Sequence, residues 1–551
     1  MKSHSNRNRE TGGSRQTMLV STAILLIGLL VSAIIVLTSP GLQDLRYRES
    51  LDMAQVARNY ARGEGFTTGV GRPLQLRQSP GTGWPLPDLT NPPLFPLALS
   101  VLLRVAEDTD KTVAVTSSLF WGLLLAVLLV WGAKAQGVFT SSLAALMVTV
   151  NMRMAIAASA GHSITLAALF TFLALAVLAS GERLGPGHGI LSGALVGISF
   201  LAVYGTGTFL LALLCYVLFL SKTKKSGLVA LSLVAGFFAS TTPWLLRNLI
   251  VTGRPWGTLR WIDMAAFTES HLGLQVIRDF APEPFSLSNF VATHLVPVLS
   301  RGLRFLLDFS EDLPACWSWI VLALVAASLL EDRLPESIKR LRSLTLLSLC
   351  IYVPLASFLA RSTDGLLILL PPAALIGSSL LTTYYKTDRT GEGRQHLGQK
   401  RGAVLILCAL SVVLIALPLY RTVFATKLPF PPLVEGDFAL LEETIEEDAV
   451  VVTDVPFALT WHCDRKSVWL PLGMDQLAIL CEGRDEIRYL YLSSSILMYP
   501  GTERPDTWKK AYFQKSLVPG FELDPRFTGF GVLYRKAEME EEPAPMSPDG
   551  G

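Results

Sequence analysis

From Met18 onward, apolar runs of about twenty residues alternate with short polar connectors through the first 420 residues. Runs at 18–38, 112–132, 138–156, 162–180, 188–203, 206–221, 226–246, 313–331, 343–360, 365–385 and 402–420 make about eleven. Each approaches the length that a hydrocarbon core demands. Within 138–221 several runs are short or closely joined. Two long polar stretches, 39–111 and 247–312, interrupt the rhythm, and polar loops of that length are usually functional. Inside the first, Leu51, Ala54, Ala57 and Ala61 recur at helical spacing, and Gly63 and Gly65 end the pattern. Glu49 and Asp52 stand at its start, where carboxylates oppose the positive end of the helix dipole. The pair Pro92-Pro93 opens a second helix over 94–105, since a first helical turn needs no donor from proline.

From about residue 422 the periodicity changes. Ala449 to Asp454 reads as a buried strand, preceded by a helix over Glu442 to Glu447. Arg488 to Leu492 and Gly531 to Tyr534 read as further strands. Strands alternating with helices predict a small α/β unit, Rossmann-like in pattern but without a nucleotide-binding glycine fingerprint. The expected organisation is a polar, disordered N-terminus (1–17), a transmembrane domain (18–421), the α/β domain (422–535) and an acidic tail (536–551). The fold class is therefore a polytopic α-helical membrane protein with a small C-terminal extracytoplasmic α/β domain.

Composition agrees. Half of the residues are hydrophobic and only 17% are charged, as in membrane proteins. A net charge of +2 gives no basic excess for nucleic acid. The first run is too long for the apolar core of a signal peptide and reads as an uncleaved anchor. With the N-terminus in the cytoplasm, Lys134, Arg183, Lys222 to Lys225, Lys339 to Arg342 and Lys386 to Arg401 fall in inner loops. That is the positive-inside pattern, and an odd span count places 39–111, 247–312 and the C-terminal domain outside. No Cys-x-x-Cys or His-rich spacing marks a metal cluster. Cys463 and Cys481 stand alone in the outer domain, where an oxidising compartment would allow a disulfide.

Three stretches together resemble one family. The first runs from the loop acid through Ala57-Arg58-Asn59 and Gly63-x-Gly65-Phe66 to Asn91-Pro92-Pro93-Leu94-x-Pro96. The second is Thr242-Pro243-Trp244-Leu245-Leu246-Arg247-Asn248, followed by Gly253-x-Pro255. The third is Val452-Thr453-Asp454-x-Pro456, then Trp461, Arg465 and Leu470-Pro471. The pattern resembles bacterial GT-C glycosyltransferases, the superfamily of protein O-mannosyltransferases and lipid A aminoarabinose transferases. The resemblance implies transfer of a hexosyl or pentosyl group from a polyprenyl-phosphate sugar to an extracytoplasmic glycan, lipid or protein acceptor at the cell membrane. It implies no certain cofactor, and metal dependence varies across the superfamily, so a divalent metal stays open.

The chemistry needs a carboxylate near the attacking hydroxyl and cations near the leaving phosphate. Counting back from Ala57-Arg58-Asn59, the family acid falls at Glu49, where relatives usually carry Asp; Asp52 and Asp44 are the alternatives. Arg247, Arg361 and Arg58 are the basic candidates for the phosphate. Arginine forks suit a phosphate, although an arginine at a span end also serves as a snorkelling anchor. At Arg361-Ser362 the tyrosine that relatives place after the arginine is missing. His162 starts a run where relatives often show an acid, and Asn91 replaces the histidine common before Pro-Pro, which weakens the case for a metal. Asp263, Glu269 and His271 in the 247–312 loop are acceptor candidates or solvated charges.

Two rival classes remain at this level: a polyprenyl-lipid transporter or flippase, and a catalytically inactive lipid-binding relative. A transporter should show ionisable residues or broken helices at mid-membrane. Here the run interiors are nearly charge-free, which favours an enzyme working at the interface.

Overall fold

In the computed structural model, residues 45, 47–78, 83–221, 223–255, 275–280, 287–359, 362–390, 435–498, 505–515 and 518–537 are described, with scattered positions of 22–38. They belong to two compact units. One comprises Met1–Gly65, Leu89–Met264 and Val291–Leu428, and the other gathers Phe66–Asp88, Ala265–Phe290 and Pro429–Gly551.

The first unit is helical. It begins with α1 (Arg48–Ala61), which Gly63 and Gly65 end at φ +88° and +76°, angles that favour glycine. After the segment belonging to the other unit come α2 (Leu94–Leu103) and the long α3 (Asp110–Gln136). Thr109 caps α3 by accepting from the Thr112 amide, with Asp110 in the first turn and Lys134 in the last, as the helix dipole favours. The run expected as one span at 138–156 is broken into α4 (Val138–Thr149) and α5 (Met152–Ser159), bent by 75°. Asn151 sits at the break and accepts from the Met154 amide at 3.0 Å, which starts the second helix in a new direction.

Next come α6 (Ile164–Ser180), α7 (Pro186–Ala202), α8 (Thr208–Cys215) and α9 (Ser226–Thr252). Gly189, Gly193 and Gly197 recur every fourth residue on α7 and press against the α9 backbone. A Cβ would lie 2.5 Å from the Val229 carbonyl oxygen at Gly189 and 2.9 Å from that of Phe237 at Gly197. At Gly193 it would overlap Leu233. Small residues at this spacing let apolar helices approach closely. A side chain at Gly193 would force the pair apart, at an overpacking cost of about 1–3 kcal/mol. The same contact fixes α9, which carries Arg247.

The unit closes with α10 (Leu287–Ser328), α11 (Glu336–Leu359), the single turn α12 (Asp364–Ile368) and α13 (Leu370–Thr390). Helix α10 bends at Ser318, where φ is +65°. It starts well inside the stretch expected as the 247–312 loop. Its acids Asp308, Glu311 and Asp312 and its prolines Pro297 and Pro314 hide the helix from a hydropathy reading.

Among the described residues, four helices are long and apolar enough to cross a membrane, or five if the bent α4–α5 pair counts as one span. The expected runs at 162–180, 188–203 and 206–221 are present as shorter apolar helices. The expected run at 365–385 divides between α12 and α13. The run at 402–420 lies outside the described residues.

The second unit is α/β. Its sheet has six strands: β2 (Val70–Gly71), β5 (Lys466–Trp469), β4 (Val450–Thr453), β6 (Ile487–Leu492), β8 (Val532–Lys536) and β7 (Phe521–Leu523), in that spatial order. The first four run parallel and the last two pair antiparallel. All four residues of β4 are buried, as a central parallel strand requires. A separate ribbon pairs β1 (Thr67–Thr68) with β3 (Leu86–Pro87). Helix α14 (Glu435–Thr444) precedes β4, rather than running over Glu442 to Glu447.

Edge strand β2 comes from the 39–111 stretch, which hydropathy assigns to a membrane-side loop. Leu76, Leu86 and Phe280 join the core of this sheet from the two long loops. Arg72 and Asp88 form a buried ion pair at 3.8 Å, and Arg278 donates to the Leu470 carbonyl at 2.6 Å. The unit is thus built from three separated pieces of chain. Cys463 and Cys481 are not joined by a disulfide, which overturns that expectation. The Cys463 thiol instead donates to the Phe438 carbonyl at 3.3 Å.

Candidate active site

Glu49 occupies the first turn of α1 and is exposed, whereas Asp52, one turn on, is buried and accepts from the Gln55 amide at 3.1 Å. The two acids therefore differ in kind: one meets solvent and the other is committed inside the fold. Tyr47 immediately precedes the helix, and its ring lies 4.8 Å from that of His162. The turn carrying His162 is held tightly there. A Cβ on Gly161, at φ +75°, would lie 2.6 Å from Val113, 3.0 Å from Leu45 and 3.5 Å from Ser50. Glu49 is the charged neighbour of the buried His162. The structure thus places Glu49 and His162 together, although sequence spacing separates them by more than a hundred residues.

Arg247 lies near the end of α9, one turn after Pro243. Its guanidinium sits 4.8 Å from the centroid of the Trp244 ring, and its Nη1 donates to Asn248 Oδ1 at 3.1 Å. The Trp244 indole donates to the Tyr204 hydroxyl at 2.8 Å, and that hydroxyl donates to the Asn91 carbonyl at 3.2 Å. Two of the three sequence motifs are joined by this line. It also reaches α1, because Asn91 leads into α2, which packs along α1. Arg58 is buried within α1. Asp44, Arg361 and Glu269, with Asp263 and His271, lie outside the described residues.

Sequence reasoning passed over several residues. Tyr204 reads as one more aromatic in an apolar run, yet it bridges Asn91 and Trp244. Arg301 is buried in α10 and donates to the Phe358 carbonyl at 2.7 Å, at the last turn of α11. Asp364 opens α12, and Glu49 is among the charges acting on it. The signal was present: an acid immediately before an apolar, proline-bearing run.

Among the described residues, no group of three or more His, Cys, Asp or Glu side chains is placed to hold a metal. One carboxylate beside an imidazole, with a second carboxylate in Coulombic range, suits proton transfer. A half-buried arginine stacked on an indole suits an anion, since its N–H donors lie in a fixed plane.

No family model matches the sequence, and no curated protein matches it by sequence. Solved structures do match by fold. ArnT from Cupriavidus metallidurans, bound to undecaprenyl phosphate, aligns over 93% of this chain and 98% of its own, at 13% identity and a TM-score of 0.57. The oligosaccharyltransferase AglB from Archaeoglobus fulgidus, in complex with an inhibitory peptide and a dolichol-phosphate, aligns over 94% of this chain and 74% of its own. Its identity is 12% and its TM-score 0.55. The Archaeoglobus enzyme has also been solved with Zn and sulfate. The arabinofuranosyltransferase AftD from Mycobacteria aligns over 94% of this chain and 40% of its own, at 15% identity and a TM-score of 0.51. All three are GT-C glycosyltransferases, so the resemblance in the motifs is matched by a likeness of fold over most of the chain.

Proposed function

We propose that this chain is an integral membrane glycosyltransferase that moves a sugar from a polyprenyl-phosphate donor to a hydroxyl on an extracytoplasmic glycan, lipid or protein. The observation that carries the reading is the line Asn91–Tyr204–Trp244 beside Arg247. It ties the loop bearing an exposed carboxylate to a stacked arginine.

In the reaction, the acceptor oxygen bonds to the sugar C1 while its proton passes to Glu49. The bond from C1 to the phosphate oxygen breaks, and its electron pair leaves with the polyprenyl phosphate. Arg247 stabilises the charge that collects on that phosphate, with Arg361 and Arg58 as further candidates. Asp52, buried and hydrogen-bonded, supports α1 rather than meeting substrate. Asp44 remains the other acid near the start of the loop. Asn91, His162 and Glu269 belong to the acceptor side. The arrangement of about eleven spans, with the N-terminus inside and the α/β unit outside, follows from the basic loops and puts these groups on one face. A divalent metal is not required by this scheme.

Mass analysis of lipids and glycans from a deletion strain, complemented with the wild-type chain or with Glu49→Gln, tests the reading. Loss of one sugar unit on deletion, restored by the wild type and not by the Gln variant, is the expected result. An unchanged profile on deletion would sink it.

A further inference from the structure

We propose that the α/β unit rests on an anionic lipid surface through an aromatic corner formed by Phe513 and Phe530. The inference leans on the proposed function only for the chain's seat in a membrane. The helix Pro505–Gln514 packs on one face of the sheet. Trp508 and Ala511 are buried in the sheet core, and Tyr512 packs against it. With 3.6 residues per turn, Lys509, Lys510 and Phe513 fall together on the opposite side of that helix. Phe513 is 66% exposed there. The two lysines stand three and four residues before it, which makes them its neighbours on the helix surface. A helix that buries one stripe ordinarily turns a polar side outward, so a phenylalanine centred between two lysines is out of pattern.

Phe530 belongs to the same corner. Its side chain is 76% exposed, yet its main chain is fixed on both sides. The Phe530 amide donates to Asp437 Oδ1 at 2.8 Å, and its carbonyl accepts from the Tyr512 hydroxyl at 3.2 Å. Asp437 is itself buried and also accepts from the Gly531 amide and the Tyr491 hydroxyl, each at 2.8 Å. The Tyr512 and Phe513 rings lie 5.4 Å apart, so Tyr512 joins the two exposed phenylalanines. One exposed apolar side chain is ordinary, but two held outward on a rigid corner mark a surface that meets something.

The charge around the corner selects the partner. Lys510 and Lys515 are exposed and Lys509 partly so, and among the described residues none of the three meets a carboxylate. Arg526 is matched by Asp524 at 2.6 Å. Glu522 lies opposite Arg535 in the β7–β8 register, and alternation puts it on the other face of the sheet from Phe521, which packs in the core with Trp508. Three uncompensated positive charges therefore surround two phenylalanines. Rings at the headgroup boundary with ammonium groups on the lipid phosphates are the chemistry of an interfacial contact. Lysine stems lie along apolar surface while their heads reach the phosphates. The chain passes between this unit and the helical one at 65–66, 88–89, 264–265, 290–291 and 428–429. So tethered, the corner works at high effective concentration, and a small contact suffices.

Fluorescence quenching by lipid reads this directly. Phe513→Cys, Phe530→Cys and Asp485→Cys are made singly in the full chain lacking its native cysteines and labelled with one fluorophore. The protein is reconstituted into vesicles of equal parts phosphatidylglycerol and phosphatidylcholine. Asp485 is the control: it is exposed in the turn before β6, whereas Val532, just after Phe530, pairs with Leu492 at the far end of that strand. Lipids carrying a nitroxide high on the acyl chain should quench the labels at 513 and 530 at least about twofold more than the label at 485, as groups about 5–10 Å into the boundary would be. Changing Lys509, Lys510 and Lys515 together to Gln should lower the quenching at 513 and 530 about twofold or more. Quenching there no greater than at 485 overturns the docking. Labels shielded from aqueous iodide but not reached by the nitroxide lipid would give the corner to a protein partner or a second copy, and overturn it as well. Quenching unmoved by loss of the three lysines overturns the anionic surface. If deletion of the gene removes no sugar, the transferase reading fails, while the quenching still decides whether the corner meets lipid.

Discussion

The guanidinium of Arg247 lies 4.8 Å from the centre of the Trp244 ring, and the same indole donates its N–H to Tyr204. The stack orients the arginine plane while the hydrogen bond fixes the ring, so a flexible cation is held in one attitude. Cation–π contacts of this kind contribute about 0.5–2 kcal/mol. Their larger effect here is to limit how far the fork can swing. A lysine keeps the charge but cannot reproduce a planar, two-pronged contact. On the proposed transferase reading, Arg247→Lys should therefore weaken binding of a polyprenyl phosphate about tenfold, roughly 1.4 kcal/mol, and Arg247→Ala should weaken it further. Equilibrium binding to the purified protein in detergent checks this. Equal affinity in the lysine variant would make Arg247 a span-end anchor.

Glu49 and Asp52 are three residues apart but differ in exposure, and the two should separate in activity. General-base assistance is typically worth about 10²–10⁴-fold. Glu49→Gln keeps size and hydrogen bonding but cannot take the proton, so transfer should fall by about that factor with membrane insertion and lipid binding retained. Asp52→Asn should lose less activity and show its effect as a lower melting temperature, because the carboxylate is an internal hydrogen-bond acceptor. Transfer measured in membranes beside thermal melting of the purified variants distinguishes the two. A fully active Glu49→Gln with an inactive Asp52→Asn, or an inactive Asp44→Asn, would move the base.

Asp454, at the end of β4, gives the α/β unit a pH signature. It accepts from the Ser493 amide at 2.8 Å and from its hydroxyl at 2.7 Å, but burial outweighs these bonds and pushes the carboxyl up to about 6. A folded-state value above the unfolded one means that the folded chain binds the proton more tightly. The contribution is then fully present below about pH 4 and is lost as pH rises through about 6. Its size is at most about 3 kcal/mol. Asp454→Asn should flatten the stability curve between those limits, as followed by denaturant melts of the full chain. An unchanged curve would show that Asp454 titrates at its ordinary value.

Topology is testable without substrate. Single cysteines placed in 222–225 and in 435–537, in a background lacking all six native cysteines, should differ toward a membrane-impermeant maleimide on intact cells. The 435–537 site should react and the 222–225 site should react only after lysis, given the basic loop at Lys222. The opposite pattern would reverse the orientation and remove the extracytoplasmic acceptor with it.

The sequence by itself determined those features that depend on local period. The apolar runs, the helix at α1 with its glycine stop, and the buried strand before Asp454 follow from side-chain spacing and turn chemistry alone. Glu49, Arg247 and Asn91 were legible because each sits in a short motif. Tertiary structure decided which distant pieces meet. Residues 66–88 and 265–290 read as polar loops because too few of their positions are apolar to show a period. Yet β2, Leu86 and Phe280 complete a sheet begun more than 160 residues later. The breaks at Asn151 and Ser318 were hidden for a related reason: hydropathy averages over a run and is insensitive to one capped or left-handed residue. Asp364 is the clearest case. It opens an apolar, proline-bearing run, but what its turn meets, Tyr352 and Trp317 from two other helices, is set by packing alone. The energy of a charge depends on what surrounds it in space, and no local pattern encodes that.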